Sequence, residues 1–156
     1  MTRAEPVGLH ANPDRPPTAR DSVGRVAPIA AALLAAWGVD FTIVGSCALV
    51  LHGVRTDCND LDIVPDLAPE NIARLYDALR QIATPPVPSL RALSTQSVSS
   101  VDGPYGRVDV LADRARAEYE SLTARESRCC VEGVEVRIAA IDDVLRLRAL
   151  YKGAAG

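Results

Sequence analysis

The stretch 41–66, FTIVGSCALVLHGVRTDCNDLDIVPD, constrains the fold more than any other part of the chain. Phe41, Thr42, Ile43 and Val44 form a short apolar run with β-branched members that halts at Gly45-Ser46, and the apolar segment 47–52 follows at once. This order predicts a strand, a tight turn and a helix. Gly45 lets the backbone turn sharply and approach a ligand closely. Ser46 is expected to cap the helix and leave backbone N–H groups pointing outward, an arrangement that suits a phosphate. Gly53 ends the short helix. Residues 60–64, DLDIV, then alternate in polarity as a strand does, which places Asp60 and Asp62 on one side and Leu61 and Ile63 toward the core.

Two carboxylates on one side of a strand repel each other, and burial raises the cost unless a cation neutralises them. The pair therefore implies a divalent metal. Hard oxygen ligands favour Mg²⁺ or Mn²⁺, and Mg²⁺ usually completes its shell with water and the phosphates of a substrate. Phosphate cradle and metal site would sit together.

Around this centre the rest of the chain supplies packing. Residues 1–22 hold Pro6, Pro13, Pro16 and Pro17 with no apolar period and are expected to be a disordered leader. A helix is expected from Asp21-Ser22, with Val26, Ile29, Ala30, Leu33, Leu34 and Trp37 on its core face and Gly38 as its stop. Pro69-Glu70 opens a second amphipathic helix carrying Ile72, Leu75, Tyr76, Leu79 and Ile82, and Pro85-Pro86 ends it. The Ser/Thr-rich residues 91–101 read as either a strand or a loop. Residues 106–111, GRVDVL, read as a strand with Val108 and Val110 on one side and Asp109 on the other. Glu132-Gly133 is placed to turn a hairpin between strands 128–131 and 134–138, and 141–151 is helical by composition. The expected fold is therefore α/β (α+β), a small mixed β-sheet with helices packed on it, formed by residues 23–156 as a single domain.

Charge narrows the partners. The 156 residues carry a net charge of −3, and the excess lies in residues 26–102, which hold eight acidic and four basic groups. An acidic segment around Asp60 and Asp62 fits a cation site and gives no global field for nucleic acid, so an RNA would need a local basic patch. The C-terminal helix offers one in Arg146, Arg148 and Lys152, the last two spaced to share a helix face. Cys47, Cys58, Cys129 and Cys130 lack metal-binding spacing and read as small buried residues of a reducing cytoplasm. Neither a signal peptide nor a membrane span is supported, because the longest apolar stretch, 26–39, is short and amphipathic and contains Pro28 and Gly38.

Gly45-Ser46 followed by Asp60-Leu61-Asp62-Ile63-Val64 resembles the polymerase-β-like nucleotidyltransferase superfamily. Ala48, His52 and Gly53 within VGSCALVLHGV look similar to the minimal and AbiEii/AbiGii-toxin-type members. Those relatives often carry Arg-x-Thr just before the acidic pair; here Thr56, Asp57, Cys58 and Asn59 stand in those positions and Arg55 lies one place earlier. The resemblance implies catalytic and metal-binding roles for Asp60 and Asp62, a third carboxylate from a later strand at Asp109, preferred over Asp102 and Asp113, and triphosphate contacts from Gly45, Ser46 and Arg55. It implies a cytoplasmic enzyme using Mg²⁺ or Mn²⁺ to move a nucleoside monophosphate from a nucleoside triphosphate to an RNA or tRNA end, with an antitoxin protein as a further partner. A small-molecule or protein acceptor, and a catalytically idle nucleotide- or partner-binding module, stand beside that reading.

Overall fold

Among the described residues, six strands and six helices follow one another, and the strands join into one mixed sheet. The computed structural model describes the backbone of residues 19–155 and the side chains of residues 26–150. The elements are α1 (Ala19–Ala36), β1 (Phe41–Val44), α2 (Gly45–Leu51), β2 (Asp60–Pro65), α3 (Pro69–Ile82), α4 (Leu90–Thr95), β3 (Ser99–Val101), β4 (Arg107–Val110), α5 (Ala112–Ala124), β5 (Ser127–Val131), β6 (Val134–Ile138) and α6 (Ile141–Ala155). Strand order is β3-β4-β2-β1-β6-β5. β1 and β2 pair antiparallel, whereas β2 with β4 and β1 with β6 are parallel, which is why helices intervene between those strands. Among the described residues, no helix is long and apolar enough to cross a membrane.

α1 begins at Ala19, two residues before the expected cap, so the end of the expected leader is helical; residues 1–18 lie outside the described part. Its buried stripe also differs from the expected one. Ala27, Ala30, Ala31 and Leu34 are buried, at i, i+3, i+4 and i+7, while Val26, Ile29 and Leu33 are only partly so. Alanines let the helix lie close against β2 and β6, which leaves the larger residues at the margins of the contact. Trp37, expected in the core, is 46% exposed. It stands one residue past the helix in a Schellman turn, where Val39 N–H donates to Leu34 O and Gly38 N–H, at φ +82°, donates to Ala35 O. That turn buries Val39 and directs Trp37 outward.

The hairpin forms as its turn residues require, with Glu132 at φ +50° and Gly133 at φ +78° between β5 and β6. Residues 90–101 divide into a helical turn, α4, capped by Ser89 Oγ accepting from Ala92 N–H, and the edge strand β3. Residues 112–126, which show no clear apolar period, supply α5, kinked at Glu118.

Asn71 joins the start of α3 to the strands that carry the site. Its side chain accepts from Asp40 N–H and donates to Asp40 O and Asp66 O, all at 2.7–2.9 Å, while only 1% of the residue is exposed. Asn71→Ala strands these backbone groups and is expected to cost about 2–3 kcal/mol, read as a lower melting temperature.

Candidate active site

The site is built where β1 gives way to α2. Val44 has extended dihedrals and serves as the helix N-cap without a side-chain bond, so Ser46 does not cap as expected. The reason lies one residue earlier: Gly45 takes φ +71° and makes the turn itself, so Ser46 already lies inside the first turn of α2. The opposite end of α2 is tied down by His52, whose Nε2–H donates to Ala139 O at 2.7 Å just after β6. This gives His52 a structural role.

Strand register brings the acidic residues in. β1 and β2 align Val44 with Asp62, and β2 and β4 align Asp62 with Asp109. Asp62 and Asp109 therefore stand side by side on one face of the sheet, with Gly45 against Asp62 so closely that a Cβ on residue 45 would overlap Asp62 Oδ2. Burial, then the charge of Asp109 and a hydrogen bond shared with it, then the charge of Asp60, push the Asp62 carboxyl up to about 7. Asp60, one pleat away, is aligned with Arg107 and is not among the residues that line the adjacent cleft. Asp102 and Asp113 lie elsewhere: Asp102 O accepts from Thr84 N–H, and Asp113 pairs with Arg116.

Asp109 is 9% exposed, and its Oδ1 accepts from Ser100 Oγ at 2.5 Å and from Arg107 Nε at 2.9 Å. Arg107 Nη2 also donates to Ser100 Oγ at 3.1 Å. Neither Ser100 nor Arg107 stands out in the sequence. Arg107 is two residues before Asp109 on one strand, a hint of a shared face, but Ser100 meets Asp109 only through the β3–β4 register.

An open cleft of about 450 Å³ lies over this pair, lined among others by Gly45, Ser46, Arg55, Asp62, Asp109 and Arg148. Arg55 thus reaches the site from the loop after α2. Arg148, expected on an RNA-binding face, lines the same cleft from α6. Arg146 donates to Glu118 at 2.5 Å and to Asp143 at 3.3 Å, and Asp143 also accepts two bonds from Arg125. Arg146 is therefore engaged in joining α6 to α5, and the side chain of Lys152 lies outside the described residues. Of the expected basic patch, Arg146 and Arg148 lie among the described side chains and Lys152 lies outside them.

With 84% of this chain and 88% of the other aligned, the structure superposes on a candidate nucleotidyltransferase from Thermotoga maritima at a TM-score of 0.57 and 18% identity. The fold is nucleotidyltransferase-like. A candidate nucleotidyltransferase from H. pylori aligns with 83% of this chain at a TM-score of 0.48 and 16% identity, and the chain spans 58% of that protein. No family model matches the sequence, and no curated protein matches it. Within a nucleotidyltransferase-like fold, the registered pair Asp62 and Asp109, the Gly45 turn and two arginines share one cleft.

The donor set suits a hard divalent cation. Asp62 and Asp109 offer carboxylate oxygens side by side with Arg107 as a neighbouring positive group, and burial, followed by the charge of Asp109, raises the Asp62 carboxyl. Among the described residues, no three His, Cys, Asp or Glu side chains are gathered closely enough to hold a metal ion on their own. Water and phosphate oxygens would have to supply the rest of the shell.

Proposed function

We propose that this cleft binds a nucleoside triphosphate with Mg²⁺ or Mn²⁺ and transfers the nucleoside monophosphate to a hydroxyl acceptor. The observation that carries the reading is the alignment of Asp62 with Asp109 beside the Gly45 turn, in a cleft that also holds Arg55 and Arg148. Asp62 and Asp109 would hold the cation, with Asp60 adding negative charge from the same strand. Bound there, the cation would neutralise the phosphates and stabilise the charge that develops at the reacting phosphorus. Gly45 and Ser46 offer backbone to the terminal phosphates without an intervening side chain at residue 45, and Arg55 and Arg148 offer planar donors to phosphate oxygens. Asp109 would take the proton of the acceptor hydroxyl as it attacks the α-phosphorus and pyrophosphate leaves.

For the acceptor we propose an RNA or tRNA end, as in the toxin-type enzymes that the sequence resembles, with an antitoxin protein as a partner and the cytoplasm as the setting. A second reading, a module that binds triphosphate without transferring it, draws on the lack of a three-ligand acidic cluster among the described residues. Incubation with α-labelled triphosphates, Mg²⁺ and total cell RNA separates the two. Transfer of label to RNA supports the enzyme, whereas a triphosphate-dependent rise in melting temperature with no transfer to RNA, small hydroxyl compounds or protein supports the idle module. Arg55→Ala and Arg148→Ala are each expected to weaken triphosphate binding about tenfold, measured by calorimetry. Wild-type affinity in both variants would remove the arginines from the phosphate site.

A further inference from the structure

We propose that Ser100 is an acceptor within the chain itself, so that the protein attaches a nucleoside monophosphate to its own Ser100 Oγ. The inference rests on the nucleotidyl-transfer reading of the cleft, and it follows from how four strands line up. Ser100 is aligned with Asp109, Asp109 with Asp62, and Asp62 with Val44, whose successor is Gly45. The residues therefore form a row across β3, β4, β2 and β1. The row has a direction, with the phosphate-accommodating turn at one end, the carboxylate pair in the middle and a hydroxyl at the other.

In-line displacement needs that order, because the nucleophile must enter from the side opposite the departing pyrophosphate. Ser100 also has the partners of an activated nucleophile. Its Oγ–H donates to Asp109 Oδ1 at 2.5 Å, within reach for a hydroxyl and its base, while Arg107 binds both Asp109 Oδ1 and Ser100 Oγ and fixes their mutual orientation. β3 is an edge strand, and Ser100 is exposed on it between the buried Ser99 and Val101; Val98, two residues earlier on the chain, lines the cleft.

The step balances with a nucleoside triphosphate and a divalent cation as the only co-reactants. Ser100 Oγ bonds to the α-phosphorus, the bond from that phosphorus to the α,β-bridging oxygen breaks, pyrophosphate leaves with the oxygen, and the hydroxyl proton passes to Asp109.

The test uses the full chain with each of the four ribonucleoside triphosphates and Mg²⁺ or Mn²⁺, followed by intact mass and peptide mapping. A mass gain of a single nucleoside monophosphate, mapped to Ser100, is expected. Ser100→Ala should lower self-labelling about a hundredfold or more, and Ser100→Thr, which keeps a hydroxyl, should still carry label at residue 100. Melting curves with and without triphosphate and Mg²⁺ establish that each variant folds and binds. Label on another residue, or undiminished label in Ser100→Ala, overturns the proposal. So does an unlabelled wild-type protein that is nevertheless stabilised by triphosphate or labels RNA, an outcome that leaves the reading of the cleft standing. Absence of both stabilisation and transfer to any acceptor overturns the cleft reading and this inference together.

Discussion

Gly45→Ala is expected to reduce nucleotidyl transfer about a thousandfold and to lower the melting temperature of the metal-free protein. Two independent penalties meet at this position. Gly45 sits at φ +71°, a conformation that costs a residue with a Cβ about 1–2 kcal/mol. The added methyl would also overlap Asp62 Oδ2 and stand 3.0 Å from Asp62 Cγ and 3.2 Å from its Cβ. Asp62 is a short side chain on a paired strand, aligned with Val44 on one side and Asp109 on the other, and it cannot withdraw without losing its partner. The methyl therefore moves the carboxylate that would hold the cation and narrows the turn that would admit phosphate. A double-mutant cycle separates these effects: Asp62→Ala relieves the overlap but leaves the backbone strain, so stability lost in Gly45→Ala should be partly regained in the double variant while transfer stays lost. Equal melting temperatures and turnover in Gly45→Ala and wild type would show that the Gly45 turn does not govern the site.

The parts readable from sequence are those in which one local rule decides the outcome. Gly45 ending the run 41–44, the alternation of 60–64, Pro69 at the start of α3 and Glu132-Gly133 between two apolar runs all depend on neighbours within a few residues. Asp109 was also legible, because Val108 and Val110 fix its strand phase, although the partner it faces is set by the β2–β4 register. What was not legible depends on pairing or on approach distance. Ser100 belongs to a three-residue edge strand whose alternation is too short to show, and its meeting with Asp109 exists only across strands. Trp37 fits the apolar period of α1, but the Schellman turn ends the helix before that period can place it inside. Arg146 and Arg148, two apart on α6, part company: Glu118 at the kink of α5 takes the first, and the cleft takes the second.

Asp62→Asn should stabilise the protein in the absence of metal, and by an amount that grows with pH. In the folded chain the Asp62 carboxyl is pushed from 3.8 up to about 7, chiefly by burial and by the charge of Asp109. Below about pH 4 the carboxyl is protonated in both the folded and unfolded states, and its ionisation costs the fold nothing. Between about pH 4 and 7 the unfolded chain releases the proton that the folded one keeps, so wild-type stability declines as pH rises, and above about 7 the decline is complete. The accumulated loss is of order 2–4 kcal/mol. Asparagine has no proton to lose, so its advantage over aspartate should be small at pH 4 and reach about 10 °C in melting temperature at pH 8. Adding Mg²⁺ and triphosphate should reverse the ranking, because a cation held by ionised Asp62 stabilises the wild type by mass action and the variant lacks that charge. Transfer should fall about a thousandfold in the same variant. Melting curves for both proteins from pH 4 to 8, with and without Mg²⁺ and triphosphate, check each step. A difference that stays flat across this range would show that Asp62 ionises freely in the folded chain, and with that the case for a cation between Asp62 and Asp109 would lose its electrostatic basis.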